Sequence, residues 1–269
     1  MTLRPSDNLA AVSKASRSLS ARLGGAARRV LSHNRRTYVL ARRARVLARF
    51  LLRRPHDPDF AAFALFKDRT GLFLDVGANV GQSALSFRLF HAAPILSIEP
   101  NPEHEADLRL LKRIIPPFDY LMVAAGEENG SATLHVPTYR GATVTGEGTL
   151  VAEGRPGAYW ANRHLGADAR QMGVLDCPVQ VRRLDDLGLQ PSFVKLDIEG
   201  FELSALRGLR ETLARCQPIV LVERSSAFAE VTRLLASLGY TPLRFEAQTH
   251  SLTRYSAQLA TNIFFLPQV

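Results

Sequence analysis

The stretch Phe73-Leu74-Asp75-Val76-Gly77-Ala78-Asn79-Val80-Gly81 constrains the fold more than any other part of this chain. It reads as a short buried strand entering a tight glycine turn, followed by a helix from about Gln82 to Phe90. Glycine lets a ligand approach the backbone, and the helix N-terminus offers free N–H groups, so the turn outlines a nucleotide-sized pocket. The next apolar run, Pro94 to Glu99, ends in an acid placed to accept both hydroxyls of a ribose.

The dinucleotide fingerprint G-x-G-x-x-G fails here. After Gly77 it requires glycine at 79 and 82, where the chain has Asn79 and Gln82. A pyrophosphate therefore has no seat. Asp75 at the end of the first strand suits a cationic ligand better than a phosphate. S-adenosylmethionine meets these conditions, with a positive ammonium and sulfonium, a ribose and no phosphate.

Three blocks in order carry a family resemblance. They are Asp75-Val76-Gly77-Ala78-Asn79-Val80-Gly81, then Ile98-Glu99-Pro100-Asn101-Pro102, then Val194-Lys195-Leu196-Asp197-Ile198-Glu199-Gly200. Val181 to Leu187 fits the same pattern just upstream of the third block. Together they resemble the FkbM family of S-adenosylmethionine-dependent O-methyltransferases, over roughly Gly71 to Pro267. The resemblance implies a Rossmann-like, seven-stranded class I methyltransferase sheet. It also implies O-methylation of a hydroxyl on a sugar, glycan, glycolipid or polyketide-type acceptor. The cofactor set expected from these blocks is Asp75, Gly77, Ala78, Asn79, Gly81, Glu99, Pro100 and Asn101. Ala124 and Ala125, after the third strand, lie beside the adenine in this fold, where small residues leave room for a flat ring.

The chain has 269 residues and 46% hydrophobic content, enough for one sizeable α/β domain with an appendage. Cys177 and Cys216 supply neither a disulfide framework nor a metal-ligand spacing, so a reducing, cytoplasmic setting is expected. No apolar run has transmembrane length, and no signal peptide is expected. The net charge of +9 is unevenly spread. Residues 1–55 carry 14 Lys or Arg against one acid, Asp7, whereas the rest carries 20 bases and 24 acids. A slightly acidic catalytic domain, residues 56–269, therefore carries a basic arm, residues 1–55.

Apolar residues recur at helical spacing among the arginines from about Ala10 to Arg54, which predicts two amphipathic helices. Packing of this arm on its own domain or on a partner, a second copy included, ranks first. Contact with anionic membrane ranks second. Nucleic acid ranks last, because aromatics for base stacking are nearly absent from the arm. Arg53 to Pro58 marks the boundary.

Beyond Gly71, strands alternate with helices, the pattern of a parallel sheet. Asn101 and Pro102 are placed to cap and open a helix. Strand three is expected at about Tyr120–Ala124, strand six at about Leu243–Glu246, and an antiparallel last strand at Asn262–Leu266. Residues of about 138–178 interrupt this rhythm between two strand-like runs, Ser131–Pro137 and Cys177–Arg183. An irregular insertion there reads as an acceptor-binding lid, with Tyr139, Arg140, Arg155, Tyr159, Trp160, Arg163 and His164.

The chemistry is expected on Ser192 to Asp197, the fourth strand, whose carboxyl end carries Lys195, Asp197 and Glu199 on one side. Strand five, Pro218–Glu223, ends in Glu223. An alcohol acceptor must lose a proton, either to a carboxylate or by coordination to a divalent ion. Asp197 is the first candidate for base or metal ligand, with Glu199 as its partner. Lys195 would orient a carboxylate or the acceptor, and Glu223 is a further candidate ligand. Asp197, Glu199 and Glu223 would suit Mg²⁺. A nucleic-acid methyltransferase and a non-catalytic binding module are the competing readings. The histidines lack ligand spacing and read as surface or satisfied residues.

Overall fold

The computed structural model describes residues 35–139, 142–143, 148–150, 172–198, 200–256 and 261–268. Strand alternation divides its core. Strand β1 (Leu72–Val76) sends Phe73 into one apolar cluster and Leu74 and Val76 into another. Strand β8 (Pro191–Leu196) does the same with Phe193 on one side and Val194 and Leu196 on the other. Such strands, apolar on both faces, are those of a parallel sheet covered by helices on both sides.

The other strands of this sheet are β2 (Ile95–Ile98), β3 (Phe118–Leu121), β9 (Ile219–Glu223), β10 (Tyr240–Glu246), β11 (Ser251–Arg254) and β12 (Asn262–Pro267). Their order is β11-β10-β12-β9-β8-β1-β2-β3. Strands β3, β2, β1, β8 and β9 run parallel, and β12 lies antiparallel to both β9 and β10. Helix α1 (Arg35–Leu51) precedes the sheet. Helices α2 (Gln82–Arg88), α3 (Glu105–Ile114), α4 (Glu202–Arg207), α5 (Arg210–Cys216) and α6 (Phe228–Ser237) form the connections. The chain goes from β1 outward to β3 and returns to β8 on the other side of β1. That reversal puts a crevice beyond the carboxyl ends of β1 and β8.

The sheet has eight strands rather than the expected seven. The extra one, β11, forms a hairpin with β10 at the edge. An edge strand buries one face only, and within Ser251–Arg254 Leu252 alone packs on the core, so the stretch carries little apolar signal.

A second sheet holds β4 (Ala124–Gly126), β5 (Gly130–Tyr139), β6 (Ala142–Thr143) and β7 (Met172–Arg183), in the order β4-β7-β5-β6. The two strand-like runs flanking the insertion are thus longer than expected and pair with each other, from Gly130↔Val181 to Tyr139↔Met172. Strand three ends at Leu121, and Ala124 opens the second sheet instead of closing the first. The reason is packing: Ala124 joins Leu134, Val136 and Val179 in a small separate core. Most of the expected lid, with Arg140, Arg155, Tyr159, Trp160, Arg163 and His164, lies outside the described residues, as does the arm up to residue 34.

The described part of the arm is fastened to the domain. Val46 and Phe50 of α1 pack against the core. Arg42 and Arg43 both pair with Asp107 of α3, Arg42 at 3.0 Å. Arg49 donates to the carbonyl oxygens of Pro55 and His56. The turn at Arg53–Pro58 follows directly on these contacts. A 3₁₀ helix, Pro58–Phe66, follows it, capped by Asp57, which accepts from the Asp59 N–H at 2.8 Å. This helix buries Phe63 in a ring cluster with Phe60, Phe73, Phe87, Phe193 and Phe264.

Candidate active site

Register brings the polar strand residues together. In adjacent parallel strands Asp75 lies opposite Ser97 on one side and Lys195 on the other. Ser97 Oγ donates to Asp75 Oδ2 at 3.2 Å. The Lys195 ammonium has three donors, and it meets Gly77 O at 2.8 Å, Asp197 Oδ2 at 3.3 Å and Asp75 Oδ1 at 3.5 Å. The cation that faces Asp75 is thus an internal lysine. Asp75 is fully buried beneath the crevice rather than open to a ligand.

Burial alone would strip the charge from this group of residues, and Lys195 decides which member keeps it. Burial would lower the Lys195 pKa, but Asp197 and Asp75 beside it hold it above its ordinary value. Burial would raise Asp197, but the Lys195 ammonium and a hydrogen bond with the Glu223 carboxyl hold it below the usual carboxylate range. Asp75 goes the other way: burial raises it, and the more distant Lys195 and Ser97 offset that only in part. Asp197 is the nearer partner, and its side chain is 30% exposed. The arrangement therefore keeps one carboxylate charged at the crevice, with its counter-ion underneath.

Gly77 makes this approach sterically feasible. Its φ is +81°, and a Cβ there would lie 1.9 Å from Asp197 O and 2.7 Å from Ile198 Cγ2. Gly81 has a different task. A Cβ there would lie 1.9 Å from Leu111 Cδ1, so this glycine lets α2 pack on α3.

Glu99 is 6% exposed and joins the two loops around the position expected for the ribose. Its Oε2 accepts from the Asn79 N–H at 2.7 Å and its Oε1 from the Asn101 N–H at 2.9 Å. Each oxygen keeps a lone pair for a further donor. Asn101 also caps the following 3₁₀ turn, accepting from the Glu103 N–H, with Pro102 in the first position as expected.

These groups line a cleft of about 810 Å³, its open mouth included. Gly77, Asn79, Glu99, Pro100, Asn101, Ala124 and Ala125 line it, as do Asp197 and Glu223. Leu134 of β5 lines it too, with Gly148 and Leu150. Asp75, Ala78, Gly81 and Lys195 of the expected set stand behind the wall, not on it. Glu199 lies outside the described residues. The cleft suits S-adenosylmethionine on its donor set. It has an acid at the ribose position, small apolar residues in Ala124 and Ala125, and negative charge at Asp197 for a sulfonium.

Of the three carboxylates expected to hold Mg²⁺, Asp197 and Glu223 are described and Glu199 is not. Among the described residues no three His, Cys, Asp or Glu side chains gather in a way that could hold a metal. Asp197 and Glu223 bond to each other, and the Lys195 ammonium lies 3.3 Å from Asp197.

Three features escape sequence reasoning. His104 lines the cleft at 2% exposure, with Nδ1 3.2 Å from Glu99 Oε1, yet neither ring nitrogen makes an aligned hydrogen bond. His56 is held neutral, its pKa lowered to about 4 by burial and then by Lys195, and its Nδ1 lies 2.8 Å from Ser86 Oγ. Asn262, opposite Glu223 in the sheet, donates to Asp57 at 2.9 Å and Asp59 at 3.3 Å. Burial and the neighbouring Asp57 raise Asp59 to about 6. No local pattern marks these residues, because folding alone brings them beside the cleft.

The Methyltransferase FkbM domain matches residues 75–242, more than half of the chain. No curated protein matches the chain in sequence. Among solved structures it is similar to a methyltransferase FkbM from Methylobacillus flagellatus KT, at 21% identity and a TM-score of 0.46, over 73% of this chain and 43% of that one. The chain thus spans less than half the length of that relative. It is also similar to a TehB-like SAM-dependent methyltransferase from Corynebacterium glutamicum, at 10% identity and a TM-score of 0.43, over 86% and 96% of the two chains. An rRNA methylase from Streptococcus thermophilus is similar at 11% identity and a TM-score of 0.41, over 80% and 98%. Among the described residues no helix is long and apolar enough to cross a membrane.

Proposed function

Because this chain belongs to the FkbM methyltransferase family, we propose that it methylates a hydroxyl oxygen of a sugar, glycan, glycolipid or polyketide-type acceptor. The observation that carries the reading is the Asp197 carboxylate, kept charged by Lys195 at the cleft surface. An amine acceptor attacks through its free lone pair, whereas a hydroxyl gains from a base that takes its proton as the new bond forms.

S-adenosylmethionine, when bound, supplies an electrophilic methyl group on a positively charged sulfur. Glu99 would hold its ribose hydroxyls, and Ala124 and Ala125 would face its adenine. Asp197 accepts the hydrogen bond of the acceptor hydroxyl, orients its oxygen and receives the proton. Lys195 is a positioning residue: its three contacts are all internal, and it acts through Asp197. Leu134 and Leu150 give the cleft an apolar wall.

The test is transfer of isotopically labelled methyl to a panel of hydroxylated and amine acceptors. Label is expected on oxygen. Asp197→Asn should lower kcat by about 10²–10⁴-fold, far more than it weakens cofactor binding. Label found on nitrogen alone, or full turnover by Asp197→Asn, would refute the assignment.

A further inference from the structure

Helix α1 presents two unlike faces. Its inner face is occupied by Val46, Phe50 and the arginines that pair with Asp107. On the outside Leu40, Ala44, Ala48 and Leu51 recur at spacings of four, four and three, one stripe of a helix. Leu40 is 62% exposed and Leu51 79%, and Leu52, just past the helix end, is 66% exposed. Arg45, Arg53 and Arg54 are exposed beside them. No acid occurs between Asp7 and Asp57.

A row of leucines in water flanked only by positive charge is unfavourable for an isolated domain and suited to one kind of surface. We infer that the outer face of α1 docks on an anionic lipid bilayer, with the leucines in the acyl boundary and the arginines among the headgroups. Charge complementarity selects this occupant. A second copy would bring the same arginines face to face without an acid from this segment to answer them. Nucleic acid would answer the charge but has no use for leucines, and a single strand would also stack on aromatics. Residues 1–55 hold only two, Tyr38 and Phe50, and Phe50 packs inward.

Docking there would bear on the acceptor. Arg49, Arg54, His56 and Gln82 line a small cavity under the C-terminal end of α1, and Gln82 also lines the cofactor cleft. The cavity beneath the docked helix and the cleft therefore share Gln82, which favours an acceptor hydroxyl carried on a lipid. That last step rests on the methyltransferase reading, whereas the docking does not.

The experiment is co-sedimentation of the full chain with vesicles of phosphatidylcholine alone or mixed with phosphatidylglycerol, at low and high NaCl. A Leu40→Glu/Leu51→Glu/Leu52→Glu variant and a duplex RNA are run in parallel, and calorimetric titration with S-adenosylmethionine is the separate readout. The docking predicts at least about tenfold tighter binding to the anionic vesicles than to the neutral ones, weakened by salt. The variant should lose at least about tenfold of that binding with its cofactor titration unchanged. No binding to anionic vesicles would overturn the inference, and so would a variant that binds them as well as the parent. RNA binding tighter than vesicle binding would assign the face to nucleic acid. Dimerisation abolished by the variant, without vesicle binding, would assign it to a second copy. Loss of the cofactor titration alone would sink the methyltransferase reading and leave the docking standing.

Discussion

Replacing Lys195 with methionine removes the ammonium shared by Gly77 O, Asp75 and Asp197 and leaves its volume nearly filled. Lys195 is 4% exposed and Asp75 is fully buried, so water cannot take the ammonium's place. Breaking a buried ion pair from one side costs about 3–5 kcal/mol. For a chain of this size that corresponds to a fall in Tm of about 6–20 °C. The loss depends on pH in a definite direction. Without Lys195 both acids have folded pKa values above their unfolded ones. Such a group contributes stability below its unfolded pKa, and that stability is lost as the pH rises through the folded value. The deficit should thus be larger near about pH 8 than near about pH 5. Adding Asp75→Asn removes one of the unpaired acids and should recover at least about 1 kcal/mol, seen as coupling in a double-mutant cycle. Urea denaturation followed by circular dichroism at both pH values measures all three quantities. A deficit below about 1 kcal/mol that is equal at both pH values would refute the charge assignment.

Further outcomes follow from single contacts. Gly77→Ala should abolish cofactor binding and cost at least about 2 kcal/mol, whereas Gly239→Ala should cost only about 1 kcal/mol. Both have φ near +80°, but only Gly77 would meet a backbone oxygen, so thermal melts of the pair separate clash from dihedral strain. Asp59→Asn should stabilise the protein by about 1 kcal/mol near neutral pH, a figure discounted for its partial exposure. Its folded pKa of about 6 exceeds the ordinary 3.8, so the parent loses stability as pH rises across that window, and melts repeated near the bottom of the window should show the gain shrinking. His104→Leu should keep or raise Tm, because it removes buried nitrogens that lack aligned partners, and weaken S-adenosylmethionine binding about five- to tenfold.

What the sequence made legible was local or periodic. The strand before Gly77, the helix after Gly81 and the Asn101-Pro102 cap were readable because each depends on a few neighbouring residues. The antiparallel last strand was readable because Ile263–Leu266 is a continuous apolar run. What escaped depends on register and on distant packing. Asp75 looked like a ligand contact until its strand was aligned with that of Lys195. Gly77 and Gly81 look alike in the loop, yet one admits Asp197 and the other Leu111. The β5–β7 pairing joins runs separated by an irregular stretch, so neither run specifies its partner. His56 and His104 carry no spacing signal at all, since only the closed fold brings them to the cleft.

Calorimetric titration of the purified chain with S-adenosylmethionine, alongside Glu99→Gln, tests the cofactor cleft most directly. Glutamine is the milder substitution because it keeps one of the two acceptors, whereas alanine would orphan both the Asn79 and the Asn101 amides. Binding by the parent that weakens at least about tenfold in Glu99→Gln, with the variant still folded, is the predicted result. No binding by the parent, or equal binding by the variant, would contradict the placement of the cofactor between Glu99 and Asp197.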